Sequence, residues 1–205
     1  MQRNYKARAS SAGKLMVSPR NKSEALSETT KTYLQEWLKS EIYGVKKEIY
    51  SKQIEKGIVL EDEAIDFVVS NLNIPFTIKN EKSFEDDFFT GTPDIILDDT
   101  IIDIKVSWDC FTFPLFDTEI PTKDYFYQLQ VYMHLTGKSS AKLVYVLLNT
   151  PENLTFEIAA DDYSGVDPKY RIKVFDIEYQ PEIIEELKEK VILANEYINN
   201  LKQSI

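Results

Sequence analysis

Two aspartates and a lysine share a short stretch of the chain that is otherwise rich in isoleucine and leucine. They are Asp94, Asp103 and Lys105, and the turn-forming pair Asp98-Asp99 separates two β-branched runs between them. Such a pattern predicts a hairpin, which brings Asp94 close to Asp103. Because side chains alternate between the two faces of a strand, Asp103 and Lys105 share a face. We therefore expect two carboxylates and an ammonium to converge on one patch.

This patch has the composition of a site for metal-assisted phosphodiester hydrolysis. Mg²⁺ prefers oxygen ligands, commonly one or two carboxylates with water and substrate phosphates, and it can polarise a phosphoryl group. A lysine such as Lys105 can orient or deprotonate the attacking water and offset charge in the transition state. The alternative is a surface hairpin with solvated charges. We favour the site, because the apolar flanks bury these strands and inward-facing charges are costly unless they bind something.

The sequence Pro93-Asp94, followed by Asp103-Ile104-Lys105, resembles the core motif of the PD-(D/E)xK nuclease superfamily. The resemblance implies an α/β fold with a restriction-endonuclease-like core, in which a mixed central β-sheet is flanked by α-helices. It also implies DNA cleavage with Mg²⁺ or Mn²⁺. Asp94, Asp103 and the backbone carbonyl of Ile104 would hold the ion, and Lys105 would activate the attacking water.

Two further motifs resemble the phage lambda-type (YqaJ-like) exonucleases, a RecB-like branch of that superfamily. Residues 57–64 resemble its G-x-x-x-E-x-x-A helix, which makes Glu61 the additional acidic residue and metal ligand. Glu63 is the alternative, but the spacing of the motif favours Glu61. Gln128 and Tyr132 resemble the Q-x-x-x-Y helix of RecB-type and lambda-type nucleases, with Gln128 in the catalytic set and Tyr132 supporting it. Residues four apart lie on one face of a helix.

The same resemblance implies contacts to the 5′-phosphate and the end of duplex DNA. The residues come from separate parts of the chain, namely Arg3, Arg8 as a nearby substitute for it, Ser10, Thr92 and the wedge residue Ile54. One departure concerns a second phosphate-binding arginine, which the family has shortly after its catalytic lysine. Here residues 107–111 read Ser-Trp-Asp-Cys-Phe, which leaves a strict requirement for a 5′-phosphate open.

Hydrophobic periodicity and turn signals predict the elements that must position these residues. We predict helices from Ser27 to Gly44, over 46–55 and from about Leu60, strands within 77–89 and over 94–97 and 100–106, a helix over 124–136, strands over 142–148 and 171–179, and a last helix over 181–201. This order predicts an α/β or α+β sandwich around one mixed sheet. We also expect the residues that follow Lys105 to be buried, namely Trp108, Cys110, Phe111, Phe113 and Phe116.

Composition limits the size and class of the protein. The chain has 205 residues, of which 43% are hydrophobic, so a disordered chain is excluded and one domain over 1–205 is expected. Its single cysteine excludes an internal disulfide and a four-cysteine iron–sulfur cluster. Residues 1–22 carry six basic and no acidic side chains, whereas the other 183 residues carry 18 basic and 34 acidic ones. We interpret residues 1–23 as a basic lead-in that contacts phosphate rather than a disordered, solubilising tail.

Together these patterns predict a metal-dependent deoxyribonuclease that acts on linear duplex DNA. The resemblance implies a 5′-to-3′ exonuclease that generates single strands for phage-type recombination, with a single-strand annealing protein as partner and a homotrimer around the DNA. The alternatives are a structure-specific or restriction-like endonuclease, or a catalytically silent binding module on the same fold. No apolar run could cross a bilayer and no secretory signal is visible. We therefore expect no membrane partner and a cytoplasmic, phage- or prophage-encoded protein in a bacterial host.

Overall fold

The structure is a computed structural model that describes residues 4–47, 50–74, 79–155 and 161–205. In this described part, a short first strand is followed by four helices, then by four strands, one helix, two strands and a final helix. In chain order they are β1 (Ala7–Arg8), α1 (Ala12–Leu15), α2 (Glu28–Tyr43), α3 (Lys52–Val59), α4 (Glu61–Asn71), β2 (Phe84–Glu85), β3 (Phe89–Gly91), β4 (Ile95–Ile96), β5 (Thr100–Val106), α5 (Lys123–Thr136), β6 (Ser140–Val146), β7 (Ile172–Glu178) and α6 (Pro181–Gln203).

The main sheet has four strands in the order β4-β5-β6-β7 and is mixed. β4 and β7 pair antiparallel with their neighbours, whereas β5 and β6 are parallel and are connected through α5. Alternation along β5 directs Ile101 to a core shared with α5 and α6, and Ile102 to a second core shared with α4. The predicted fold class, a mixed sheet flanked by helices, is confirmed.

A second, smaller sheet of three strands was not predicted. Its order is β1-β3-β2, with β1 parallel and β2 antiparallel to β3. The expectation of one mixed sheet is therefore wrong, because the chain near its N-terminus supplies a strand of its own. The strand pair predicted within 77–89 is present as β2 and β3, but it is shorter and extends to Gly91. Its first two positions, 77 and 78, lie outside the described residues.

The basic lead-in is part of the folded core rather than an appended arm. Tyr5, Ala7 and Leu15 are almost completely buried between its exposed charged residues. The backbone N–H of Tyr5 donates to Asn195 Oδ1, and Asn195 Nδ2 donates to the Tyr5 carbonyl. Interleaved apolar residues and these hydrogen bonds thus attach the described part of this segment to α6.

The helix predicted over 46–55 is displaced along the chain. α3 begins after Ser51, whose hydroxyl accepts a hydrogen bond from the Ile54 N–H, and it continues through Gly57. A serine N-cap satisfies one of the unpaired donors at a helix start, so α3 begins there. Positions 48 and 49 of the predicted helix lie outside the described residues. In contrast, the predicted start of α2 at Ser27 and its end at Gly44 are confirmed.

The segment after β5 is more exposed than its composition suggests. Phe113 is buried as predicted, but Phe111 and Phe116 are 93% and 90% exposed, and Cys110 is exposed as well. The expectation that these three residues are buried is wrong, because the chain leaves the sheet here in a series of turns. Among the helices of the described residues, none has both the length and the apolar character that crossing a bilayer requires.

Candidate active site

A cleft of about 450 Å³ opens between α3, α4 and the main sheet. α3 contributes one wall and α4 begins at its mouth, while the sheet forms its floor where β4 starts and β5 ends. The lining includes four predicted site residues, namely Ile54, Glu61, Asp94 and Lys105, together with Ile104, whose backbone carbonyl was predicted as a ligand. The hairpin and the two helices therefore bring together residues that are up to 51 positions apart in sequence.

Asp94 is held in place by the antiparallel pairing of the hairpin. Ile95 of β4 lies opposite Ile102 of β5, which places the preceding aspartate next to the end of the same strand. Asp94 Oδ2 accepts a hydrogen bond of 2.9 Å from the Ile104 N–H. Burial, and then repulsion from Asp103, raise the pKa of Asp94 to about 7. A positive charge placed beside this carboxylate would stabilise its ionised form and lower its pKa again.

Asp103 is buried more deeply than Lys105 and is only 1% exposed. Its Oδ1 accepts a hydrogen bond of 3.1 Å from Gln128 Nε2. Its Oδ2 lies 2.7 Å from Lys105 Nζ. The Lys105 ammonium is thus the partner of this buried oxygen. A carboxylate oxygen can accept more than one contact, so Oδ2 can bind a further ligand beside the ammonium.

Lys105 lies between the carboxylates and an aromatic ring. Its Nζ is 4.8 Å from the ring centroid of Tyr125, a distance typical of a cation–π contact. Burial works against its charge, but attraction to Asp103 outweighs this and raises the pKa of Lys105 above its usual value. The lysine is therefore positively charged at neutral pH, which suits it to orient a water or to offset charge on a phosphate.

Gln128 and Tyr132 lie on the α5 face that packs against β5. Gln128 Nε2 also donates a hydrogen bond of 3.0 Å to the Tyr132 hydroxyl, so a single amide connects Tyr132 to Asp103. The ring of Tyr132 packs directly on Gly91, where an added Cβ would lie 2.7 Å from Tyr132 Cε1. The predicted Q-x-x-x-Y pair thus lies beside Asp103, with Gln128 in contact with the carboxylate and Tyr132 in contact with Gln128.

Glu61 is the first residue of α4 and faces the cleft, whereas Glu63 is exposed outside it. This favours Glu61 over the alternative considered from the sequence. Glu61 Oε2 forms an ion pair of 2.8 Å with Lys79, a residue that sequence reasoning did not select. The carboxylate therefore lies at the mouth of the cleft, where it adds to the negative potential around Asp94.

The donor set fits a hard divalent cation held by few protein ligands. No group of three or more His, Cys, Asp or Glu side chains within the described residues has the geometry of a preformed metal site. Mg²⁺ is commonly bound through one or two carboxylates and keeps several waters, so a preformed cage is not required. Asp94 and Asp103 are the two carboxylates available for it.

The residues predicted to contact the DNA end are divided between two places. Arg3 lies outside the described residues. Arg8 and Ser10 are exposed, and Arg8 lies opposite Thr90, two residues before the exposed Thr92. Arg8 ends β1, Ser10 lies in the short 3-10 helix that follows it, and Thr92 directly follows β3, so the three lie near the ends of two paired strands. Ile54 is 46% exposed on the α3 wall of the cleft.

Three residues that contact the site or its wall were not selected from the sequence. Tyr125 could have been found, because it lies three residues before Gln128 on the same predicted helix face. Lys79 belongs to no motif, and only the path of the chain brings it to Glu61. Lys56 is the fully buried residue of α3, and it donates hydrogen bonds to main-chain carbonyls that are distant in sequence. No sequence signal indicates those partners.

Comparison with known structures shows similarity to exonucleases over nearly the whole chain. A phage-related exonuclease from Haemophilus somnus 129PT is 29% identical, with a TM-score of 0.85, and the match covers 98% of this chain and 97% of that one. LHK-Exo, an alkaline exonuclease from Laribacter hongkongensis, shares the fold at 19% identity, with a TM-score of 0.68 over 97% of this chain and 92% of that one. No protein-family model and no curated protein matches the sequence.

Proposed function

We propose that this protein is a Mg²⁺- or Mn²⁺-dependent exodeoxyribonuclease that hydrolyses phosphodiester bonds of linear duplex DNA. The observation that carries the proposal is the convergence of Asp94, Asp103 and Lys105 at one cleft, with Asp103 almost completely buried and 2.7 Å from the Lys105 ammonium. The similarity of the chain to two exonuclease structures supports it. A solvated surface hairpin would have neither this burial nor this inward-facing ion pair.

In this proposal Asp94, Asp103 and the Ile104 carbonyl hold the cation, with Glu61 completing the set. A cation held there supplies Lewis acidity to a phosphoryl oxygen and lowers the pKa of bound water. Lys105 keeps its proton in the resting protein, so it orients the attacking water and offsets the charge that develops on the phosphate. Gln128 fixes the orientation of Asp103, and Tyr132 supports Gln128.

We further propose that the enzyme acts from a 5′ end. Arg8, Ser10 and Thr92 form a polar, exposed edge suited to a terminal phosphate, and Ile54 is an apolar residue at the cleft itself. Arg3 is assigned to the same phosphate from the sequence alone. A role in phage-type recombination, a single-strand annealing partner and a homotrimer around the DNA belong to the same proposal.

Digestion of defined DNAs tests the proposal. With Mg²⁺ we expect loss of linear duplex, with faster loss when the 5′ ends are phosphorylated, and no cleavage of a covalently closed circle. Lys105→Ala should lower the rate at least about 100-fold, because it removes a charge positioned at the reacting phosphate. Lys142→Ala is the matched control. Lys142 of β6 pairs with Asp176 of β7, and it does not line the cleft.

The outcomes separate the candidate functions. Cleavage of the circle would support the endonuclease alternative instead. Digestion by Lys105→Ala at the rate of the unmodified protein would overturn the assignment of the site. Absence of digestion together with absence of Mg²⁺ and Mn²⁺ binding in calorimetry would favour the catalytically silent binding module.

A further inference from the structure

A second lysine, which the proposed mechanism does not use, lies at the mouth of the cleft. Lys79 Nζ is 2.8 Å from Glu61 Oε2 and 3.7 Å from Asp62 Oδ1. Each of these two lysines thus pairs with a carboxylate of the site. Lys105 pairs with the buried Asp103, and Lys79 pairs with Glu61 at the mouth of the cleft. Each ammonium occupies a carboxylate that the proposed function assigns to a cation.

The backbone beside Lys79 is attached to the same loop that presents Asp94. The Asn80 N–H donates a hydrogen bond of 2.8 Å to the Asp94 carbonyl. Asn80 Nδ2 donates another of 2.9 Å to the Pro93 carbonyl. The backbone next to Lys79 is therefore attached to the strand start that carries a candidate metal ligand.

This arrangement has a consequence for the order of binding. A cation that uses Glu61 has to take the carboxylate from Lys79, since the two positive charges compete for it. The released ammonium remains within reach of the mouth of the cleft, because Asn80 attaches the adjacent backbone to the loop of Asp94. A lysine ammonium is a compact point charge that binds phosphate oxygens well. The DNA backbone would bring such oxygens to this position.

We propose that Lys79 exchanges partners when the site is loaded: it pairs with Glu61 in the free protein and with a DNA phosphate in the loaded one. Lys79 is thus a positioning residue for Glu61 and then a contact for the substrate. This inference rests on the proposed nuclease function. It adds Lys79, which belongs to no motif in the chain, and an order in which the cation and the DNA change the partner of this lysine.

The first test measures cation affinity without DNA. In calorimetry, Lys79→Met should bind Mn²⁺ about 2- to 5-fold more tightly than the unmodified protein, which is the range for loss of one exposed ion pair. Lys188→Met is the matched control, because Lys188 pairs with Glu185 on α6 at the same 2.8 Å. In a Glu61→Gln background, Lys79→Met should have no larger effect than the control. An equal effect with and without Glu61 would overturn the exchange.

The second test measures DNA affinity as a function of salt, in a Lys105→Ala background that prevents turnover. With Mg²⁺ present, Lys79→Met should reduce the slope of log affinity against log salt by about 0.9, the value for one phosphate contact. With EDTA instead of Mg²⁺, the slope should not change, because Lys79 then remains on Glu61. The same slope change under both conditions, or none with Mg²⁺, would overturn the proposal.

Digestion by the unmodified protein separates this inference from the proposed function. If the unmodified protein digests linear duplex and Lys79→Met behaves like Lys188→Met in both tests, the exchange alone is wrong. If the unmodified protein does not digest linear duplex with Mg²⁺ or Mn²⁺, the proposed function is wrong, and the inference that rests on it falls with it.

Discussion

At the scale of single residues, Asp94 is where burial and charge oppose each other most directly. Its carboxyl lies among apolar side chains and near Asp103, so its pKa rises to about 7. A raised pKa means that the folded protein binds this proton more tightly than the unfolded chain does. Ionisation of Asp94 therefore destabilises the metal-free protein as the pH rises from about 4 to 7, and this loss persists at higher pH.

This strain predicts that Asp94→Asn stabilises the protein when divalent cations are removed. At pH 8 with EDTA we expect an increase of about 2 kcal/mol in the free energy of unfolding, because the buried charge is gone. The amide oxygen can still accept from the Ile104 N–H. The increase should shrink as the pH falls from 7 towards 4, where the unmodified residue is itself protonated.

Urea unfolding at pH 8 and at pH 4.5 checks this prediction. Asp176→Asn is a suitable control, since Asp176 pairs with Lys142 on the sheet surface outside the cleft. A destabilised Asp94→Asn variant at pH 8 would show that Asp94 is not strained in the free protein.

Gly91 is a second residue whose side-chain size has consequences at the site. A Cβ there would lie 2.7 Å from Tyr132 Cε1 and 3.0 Å from the Ala9 Cβ, so Gly91→Ala must displace one of them. We expect a loss of about 1–3 kcal/mol in stability, the usual cost of overpacking. We also expect reduced DNA digestion, because moving Tyr132 disturbs Gln128 and so Asp103.

Thermal unfolding and digestion rates measured on the same samples check both parts. Gly165→Ala is the control, since a Cβ at Gly165 meets nothing within 4 Å. Unchanged stability and unchanged digestion in Gly91→Ala would contradict the contact with Tyr132.

At the scale of elements, α3 is fixed to the sheet by one buried lysine. Lys56 Nζ donates hydrogen bonds to the carbonyls of Trp108 and Leu148 and to the Thr150 hydroxyl, at distances of 2.7–2.9 Å. These acceptors follow β5 and β6, the two central strands of the main sheet. The ammonium therefore connects the helical wall of the cleft to the strand that carries Asp103 and Lys105.

Lys56→Met is expected to loosen this wall and to lower stability by about 1–3 kcal/mol at pH 7.5, because buried carbonyls lose their donor. Burial lowers the pKa of Lys56 to about 8. Between about pH 8 and 10.5 the folded protein has lost this proton while the unfolded chain keeps it, so stability from this group rises with pH. The difference between the unmodified protein and Lys56→Met should therefore be larger at pH 9.5 than at pH 7.5.

Denaturant titrations at the two pH values measure this difference. Lys39→Met, an exposed residue of α2, removes the same charge without a buried partner and should change stability by no more than about 0.5 kcal/mol. A difference that stays constant or shrinks with rising pH would contradict the lowered pKa.

At the scale of the whole molecule, a concentration of positive charge coincides with an N-terminal segment that is packed into the core. The basic residues near the start of the chain are held on a segment whose apolar side chains belong to the main core. Outside residues 1–22 the chain has a net charge of −16, which opposes general binding to DNA. We therefore expect DNA affinity to depend on a few positioned cations and to fall steeply with salt.

Two N-terminal variants separate folding from DNA contact. Deletion of residues 1–9 should cost at least about 3 kcal/mol in stability, because it removes buried Tyr5 and the β1 strand. Arg8→Ala should leave thermal unfolding unchanged and weaken binding to a linear duplex, most strongly at low salt. Lys202→Ala on α6 is the charge-matched control, and equal DNA affinities for the two substitutions would exclude Arg8 from the interface.

The sequence by itself determined the parts of the protein that depend on local pattern. Alternation along β5 predicted the shared face of Asp103 and Lys105, and helical spacing predicted that Gln128 and Tyr132 lie together. Capping residues predicted the ends of α2, because Ser27 and Gly44 satisfy or terminate hydrogen bonds within a few positions. Such interactions are short-range, so the residues that make them are neighbours in the printed sequence.

Only the tertiary structure decided what depends on long-range packing. Three features join segments that are distant in sequence. They are the pairing of the N-terminal segment in a second sheet, the ion pair of Lys79 with Glu61 and the burial of Lys56. Their partners are largely backbone carbonyls and surface carboxylates, which every chain has in abundance and which leave no pattern. Which of them become neighbours depends on how the sheet, the helices and the loops pack together.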